Sequence, residues 1–161
     1  MTKDSLKKDL IAAYSDAYQN LGYSSLMGKM VALLIVSPKE LSLDDIAEEL
    51  QMSKGPISQI ATRLKEHKLI EKVWVPGERK VFYKATTDIF GQAFKNYTSS
   101  MRRNRRMGED FTDQCEALTQ DSEITHFSKK MKEMTAFYTL MNSYHEQFLS
   151  AWEDEKTKFS E

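Results

Sequence analysis

Five polar side chains near the middle of the chain fall on one face of a short helix: Lys54, Ser58, Gln59, Thr62 and Arg63. Gly55 and Pro56 stand at its leading end. These types suit hydrogen bonding to base-pair edges. Glutamine can pair bidentately with adenine, arginine with guanine, and serine or threonine can donate to bases or phosphates. Gly55 permits close backbone approach, and Ser53 with the helix N-terminus can hold a phosphate oxygen. Further on, Arg79 and Lys80 lie at the tip formed by Pro76-Gly77-Glu78. An arginine there suits the concentrated negative potential of a narrow minor groove. Lys65, Lys68 and Lys72 extend the positive surface, and from Lys54 to Lys84 bases clearly outnumber Glu66, Glu71 and Glu78.

Those residues need a scaffold, and the text from Ser42 to Ala85 supplies one. Ser42 opens a helix with Asp45 three residues on, a capping-box spacing, and Asp44 and Asp45 suit the positive end of that helix. Ile46, Ala47 and Leu50 form its apolar face, and Gln51-Met52 makes the turn. Ser53 caps the next helix, whose core stripe is Ile57, Ile60, Ala61 and Leu64. Pro56 falls in the first turn, where its missing N–H loses no partner. Leu69 to Val75 and Arg79 to Ala85 read as two strands of a hairpin around the Pro-Gly turn. Helix, turn, helix and charged hairpin is the order of a winged helix-turn-helix, which places its second helix in the DNA major groove.

The flanks are helical by period. Leu6, Leu10, Ala13, Ala17 and Leu21 repeat at spacings of three and four, with Tyr14 and Tyr18 beside the stripe and Gly22 as its stop. Ser24 or Ser25 caps a nearly all-apolar helix through Met27, Met30, Val31, Leu34 and Ile35, which suits a central core position. Pro38 ends it. Thr87-Asp88 caps a helix reaching about Met101. The basic run Arg102, Arg103, Arg105 and Arg106 follows, then a shorter helix over 110–118. Ser122 caps a last helix to about Lys158. Its stripe is Phe127, Met131, Met134, Tyr138, Met141, His145, Phe148 and Trp152, the alternating seam of helices packed side by side. That seam reads as core or as a contact between two copies. His145 within it reads as a partly buried histidine with a satisfied hydrogen bond, or as a pH-sensitive contact. The four arginines read equally as phosphate contacts or as partners of Glu109, Asp110 and Asp113 on a second chain.

Composition sets outer limits. The 161 residues are 40% hydrophobic and 29% charged, enough for one domain, or for one small domain with an extension. The net charge of −1 argues against a generic polyanion binder, so any nucleic-acid site must be a local patch. The one cysteine, Cys115, excludes an internal disulfide framework, suits a reducing cytoplasm and reads as an inert thiol. No signal peptide is visible, and Leu26 to Val36 is too short to span a bilayer. The opposite face of the last helix carries both signs, which disfavours a membrane-surface helix. There is no phosphate loop, nucleophile elbow, metal-binding helix or metal-ligand spacing, so no cofactor, metal or catalytic residue is expected and the chain reads as a non-enzyme.

Gly22 through Ala85 resembles the winged-helix part of the GbsR-type branch of the MarR-like bacterial transcriptional regulators. The matching residues are Gly22-Tyr23, Gly28, LSLDDIAEEL, MSKGPIS and PGERKVFYKA. Pro56 departs from the polar or β-branched residue often found at that place. The resemblance implies a dimeric repressor or activator, and control by choline or glycine betaine or of osmolyte-related genes. Aromatic faces at Tyr97, Phe137, Tyr138, Tyr144 and Trp152 are candidates for holding such a quaternary ammonium by cation–π attraction. The expected fold is mainly α with a small β-hairpin wing, a winged helix-turn-helix plus N- and C-terminal dimerisation helices. The expected divisions are a dimerisation helix over 1–22, the DNA-binding domain over 23–86, and a dimerisation and effector region over 87–161. The expected function is a homodimer acting on double-stranded DNA at a palindromic operator. The rival is a winged-helix protein-interaction module.

Overall fold

A computed structural model describes residues 1–119 and 121–159, in two compact units, 1–92 and 93–161. The first unit holds α1 (Lys3–Asn20), α2 (Ser25–Val36), β1 (Leu41–Ser42), α3 (Leu43–Leu50), α4 (Lys54–Glu66), β2 (Ile70–Val73) and β3 (Phe82–Ala85). Its centre is α2, whose apolar surface buries Met30, Val31, Ala32, Leu33 and Leu34. Ile46 of α3 and Ile57 and Leu64 of α4 are fully enclosed with it. Each such side chain contributes about 1.5–3 kcal/mol on burial, so the pair α3–α4 is fixed by a few apolar anchors.

Local rules explain the joints. Ser42 Oγ accepts from the Asp45 amide, and the Asp45 carboxylate accepts from the Ser42 amide at 2.8 Å, so the predicted capping box forms. Gln51 takes the left-handed conformation (φ 52°) that turns the chain from α3 into α4. Gly77 (φ 85°) does the same for the hairpin turn. The sheet has three strands, not two. Its order is β1-β3-β2, all antiparallel, with Leu41 and Ser42 opposite Tyr83 and Phe82, and Ile70 to Val73 opposite Ala85 to Phe82. β1 is two residues long and leaves no period to read.

α1 crosses α2 closely. A Cβ on Gly28 would meet the Tyr14 carbonyl oxygen at 2.3 Å, so only glycine permits the approach. Tyr18 packs on Tyr14 and Tyr23 with ring centroids 6.3 and 5.8 Å apart. Burial, then Tyr14 and Tyr23, push its phenol above the ordinary value. The helix therefore docks through Ser15 and the tyrosines, while Leu6, Ala13, Ala17 and Leu21 of the sequence stripe stay exposed.

The second unit is a pair of antiparallel helices. α5 (Ile89–Glu116) begins within the first unit and continues into the second; α6 spans Ser122–Lys156, and a short 3-10 turn follows at Thr157–Phe159. Phe94 meets His145 and Phe148 at 5.2 and 4.7 Å, Phe111 meets Phe127 at 6.2 Å, and Lys95 pairs with Glu153 at 3.5 Å. Two sequence expectations change here. α5 is one helix, and the expected break between 101 and 110 is absent. Gly108, which looks like a breaker, instead makes room where a Cβ would meet Thr135 Oγ1 at 2.5 Å. The cap of α6 is Asp121, accepting from the Ile124 amide at 2.8 Å, rather than Ser122. His145 Nδ1 is buried with no hydrogen-bond partner, so the expected satisfied bond is not present. Cys115 is buried and in no disulfide. No residue of the 35-residue α6 is buried, and Phe137, Leu140, Tyr144 and Phe148 are more than half exposed. Among the described residues no helix is long and apolar enough to cross a membrane.

Candidate nucleic-acid interface

The outward face of α4 follows from its inward one. Ile57, Ile60, Ala61 and Leu64 are buried, and Ser53, Lys54, Gly55, Pro56, Ser58, Gln59, Thr62 and Arg63 are all exposed. The Ser53 hydroxyl makes no capping bond, the first turn carries no acid, and Thr62 Oγ1 donates to the Ser58 carbonyl at 3.1 Å. The start of α4 is thus left without the internal anion that a capping acid provides. α3 differs, being closed by its capping box.

From Lys54 to Lys84 the sequence carries eight lysines and arginines against three glutamates. Their engagement is uneven. Lys84 pairs across the strands with Glu71 at 3.1 Å. Arg63, Lys65, Lys72 and Arg79 are exposed and make no ion pair among the described residues. Lys54 and Lys80 both reach Asp44 of α3, at 2.8 and 3.1 Å. Lys54 foremost, then Lys80, hold the Asp44 carboxyl below its ordinary range, and Asp44 in turn raises the Lys80 ammonium. Lys80, expected at the hairpin tip with Arg79, therefore turns back to the root of α3. Read along the chain, Asp44 has a helix-end role only. Its second role needs the hairpin to fold back onto α3, which no local spacing shows.

The hairpin tip carries another exposed group, Trp74, 80% accessible. It stands one step beyond the last ladder pair, Val73 and Phe82. Its exposure carries no sequence signal, because a tryptophan in an alternating strand looks like core.

In the second unit the expected ligand residues do not converge. Phe137 and Tyr138 touch at 5.2 Å. From Phe137 to Trp152 the helix advances about 22 Å at 1.5 Å per residue, so one small cation cannot meet all of them in one chain. Tyr97, Phe137 and Tyr144 are more than half exposed. Arg105 lies 3.7 Å from Glu109 of its own helix. No group of three or more histidines, cysteines or acids among the described residues could hold a metal ion.

No family model matches the chain. It is similar to the HTH-type transcriptional repressor OpcR of Bacillus subtilis (strain 168), 24% identical over 157 residues that cover 89% of this chain and 84% of the relative. YvaV, an HTH-type protein of the same strain, is 24% identical over 141 residues, 80% of this chain and 79% of its own length. A crystal structure of a transcriptional regulator superposes with a TM-score of 0.76, at 17% identity, over 92% of this chain and 98% of the other. The fold is thus mainly α with a small antiparallel wing, a winged helix, and the sequence relatives are HTH-type transcriptional regulators.

Proposed function

We propose that this chain is a sequence-specific DNA-binding transcriptional regulator of the MarR-like kind. It acts as a homodimeric repressor on a palindromic operator. One observation carries the reading: α4 exposes Lys54, Ser58, Gln59, Thr62 and Arg63 together, on a chain whose net charge is −1, beside a basic hairpin. α4 lies in the major groove, its uncapped start receives a backbone phosphate, and Arg79 enters the flanking minor groove.

A single reading helix gives modest affinity, and two copies on half-sites one DNA turn apart give more. The exposed stripe of α1 and the wholly unburied α6 supply apolar surface for such a pairing. Selection from random duplexes followed by mobility shifts tests the proposal. A recovered inverted repeat is expected, bound with steep loss of affinity as salt rises. The substitution Arg63→Ala is expected to weaken the selected site by about 1–3 kcal/mol and relax one position. Equal loss on scrambled DNA would reduce Arg63 to a phosphate contact. Salt-independent or absent binding would favour the protein-interaction module instead.

Placement in the GbsR-type branch, with control by choline or glycine betaine, rests on the sequence resemblance. Isothermal titration with both osmolytes tests it, and no heat at millimolar ligand removes it.

A further inference from the structure

We propose that Asp44 is a built-in counter-ion of the DNA-reading surface, its carboxylate standing between Lys54 and Lys80 where a backbone phosphate would lie and lowering affinity for DNA of any sequence. This rests on the DNA-binding reading above.

The geometry is that of a two-pronged anion site already filled. Lys54 Nζ lies 2.8 Å from one Asp44 oxygen and Lys80 Nζ lies 3.1 Å from the other. The two lysines come from separate segments, the first residue of α4 and the hairpin arm leading into β3. A phosphodiester presents two charged oxygens in the same way as a carboxylate. The three side chains are about half exposed, at 59%, 46% and 59%. A shallow cavity of about 240 Å³, lined also by Leu43, Val81 and Tyr83, opens beside them. DNA therefore has access to both ammonium groups.

Asp44 is not needed to close its own helix. Asp45, its neighbour, makes the capping box with Ser42. Nor does a surface ion pair add much stability, since exposed pairs contribute little. What Asp44 does supply is a fixed negative charge in the middle of the patch. The lysines hold its carboxyl below the ordinary range, so it stays ionised at neutral pH. DNA that approaches Lys54 and Lys80 meets one net positive charge there rather than two. Base-reading groups such as Gln59 and Arg63 are untouched by this. The device lowers the sequence-independent part of binding, which is the part set by phosphate neutralisation, and leaves recognition to the face of α4.

The test uses the full chain and a short mixed-sequence duplex, with binding measured by fluorescence anisotropy across a salt series. For Asp44→Asn, affinity at low salt should rise about three- to tenfold, and the slope of log affinity against log salt should steepen by about one. Lys80→Ala should weaken binding more in the Asp44→Asn background than in the parent, because only there is its charge uncompensated. Circular dichroism verifies that each variant is folded. If the parent binds and Asp44→Asn binds equally or more weakly, Asp44 is a clamp for the hairpin and the proposal fails alone. If neither parent nor variant shows salt-dependent binding, the DNA-reading assignment falls and takes the proposal with it.

Discussion

Substituting Gly28 by alanine probes the tightest helix contact in the first unit. The added Cβ would stand 2.3 Å from the Tyr14 carbonyl oxygen, 2.8 Å from its carbon and 3.0 Å from Tyr18 Cβ, whereas ordinary contact begins near 3.4 Å. Two of those three atoms are backbone, so no side-chain rotation relieves the clash. α1 must retreat by roughly 1 Å, which loosens the tyrosines packed against it. Overpacking of this kind costs about 1–3 kcal/mol. Alanine in a helix recovers up to about 1 kcal/mol over glycine. With central values of about 2 and about 1 kcal/mol, the balance is a loss of about 1 kcal/mol, or about 2–4 °C in Tm for a chain of this length. The control is Gly55→Ala at the start of α4, where a Cβ meets nothing within 4 Å. Its Tm should equal or slightly exceed the parent's. Thermal melts followed by far-UV circular dichroism measure both. A Gly28→Ala protein that melts at or above the parent temperature would refute the claim that glycine is required for the α1–α2 approach.

Two pH effects follow from the same unit. Asp45 has its carboxyl lowered by the Ser42 side chain and then the Ser42 amide. Its contribution is therefore present above the ordinary aspartate range and is lost as pH falls through the lower folded value, below about pH 4. Ser42→Ala should cost about 1 kcal/mol at neutral pH and flatten that acid loss, as read by urea titration at several pH values; an unchanged acid profile would contradict the capping account. Tyr18 is displaced the other way, upward. Its contribution is complete below the ordinary tyrosine value and disappears as pH rises through the folded one, so Tyr18→Phe should be the more alkali-resistant protein in melts above about pH 10. Equal alkaline melts for the two would contradict it.

How far the sequence reached depended on whether each signal was local. The capping box at Ser42, the stripe of α4 and the Pro-Gly turn are properties of neighbours a few residues apart, and each appears where the spacing put it. β1 did not show, because two residues carry no alternation and its partner Tyr83 lies far along the chain. The expected separation of a helix ending near Met101 from one over 110–118 is absent because arginine is a good helix former, and α5 runs through Arg102, Arg103, Arg105 and Arg106. The α1 stripe was found, but the side of the helix it marks stays open in a single chain while the tyrosines dock. For the candidate interface the exposed face of α4 was legible residue by residue. Lys80 was not, since its direction depends on Asp44, remote in sequence and adjacent in space.

Ser42 ends one thing and begins another. It is a ladder residue opposite Phe82 and also the cap of α3, and it is 2% accessible. Its hydroxyl and amide are both committed to Asp45. No slack peptide therefore separates the arm that bears Lys80 from the helix that orients α4. Rocking the ribbon would twist the start of α3 in the same movement, so in the proposed DNA complex the wing and α4 shift together. In that proposed complex, a duplex whose groove spacing is wrong for one is wrong for both.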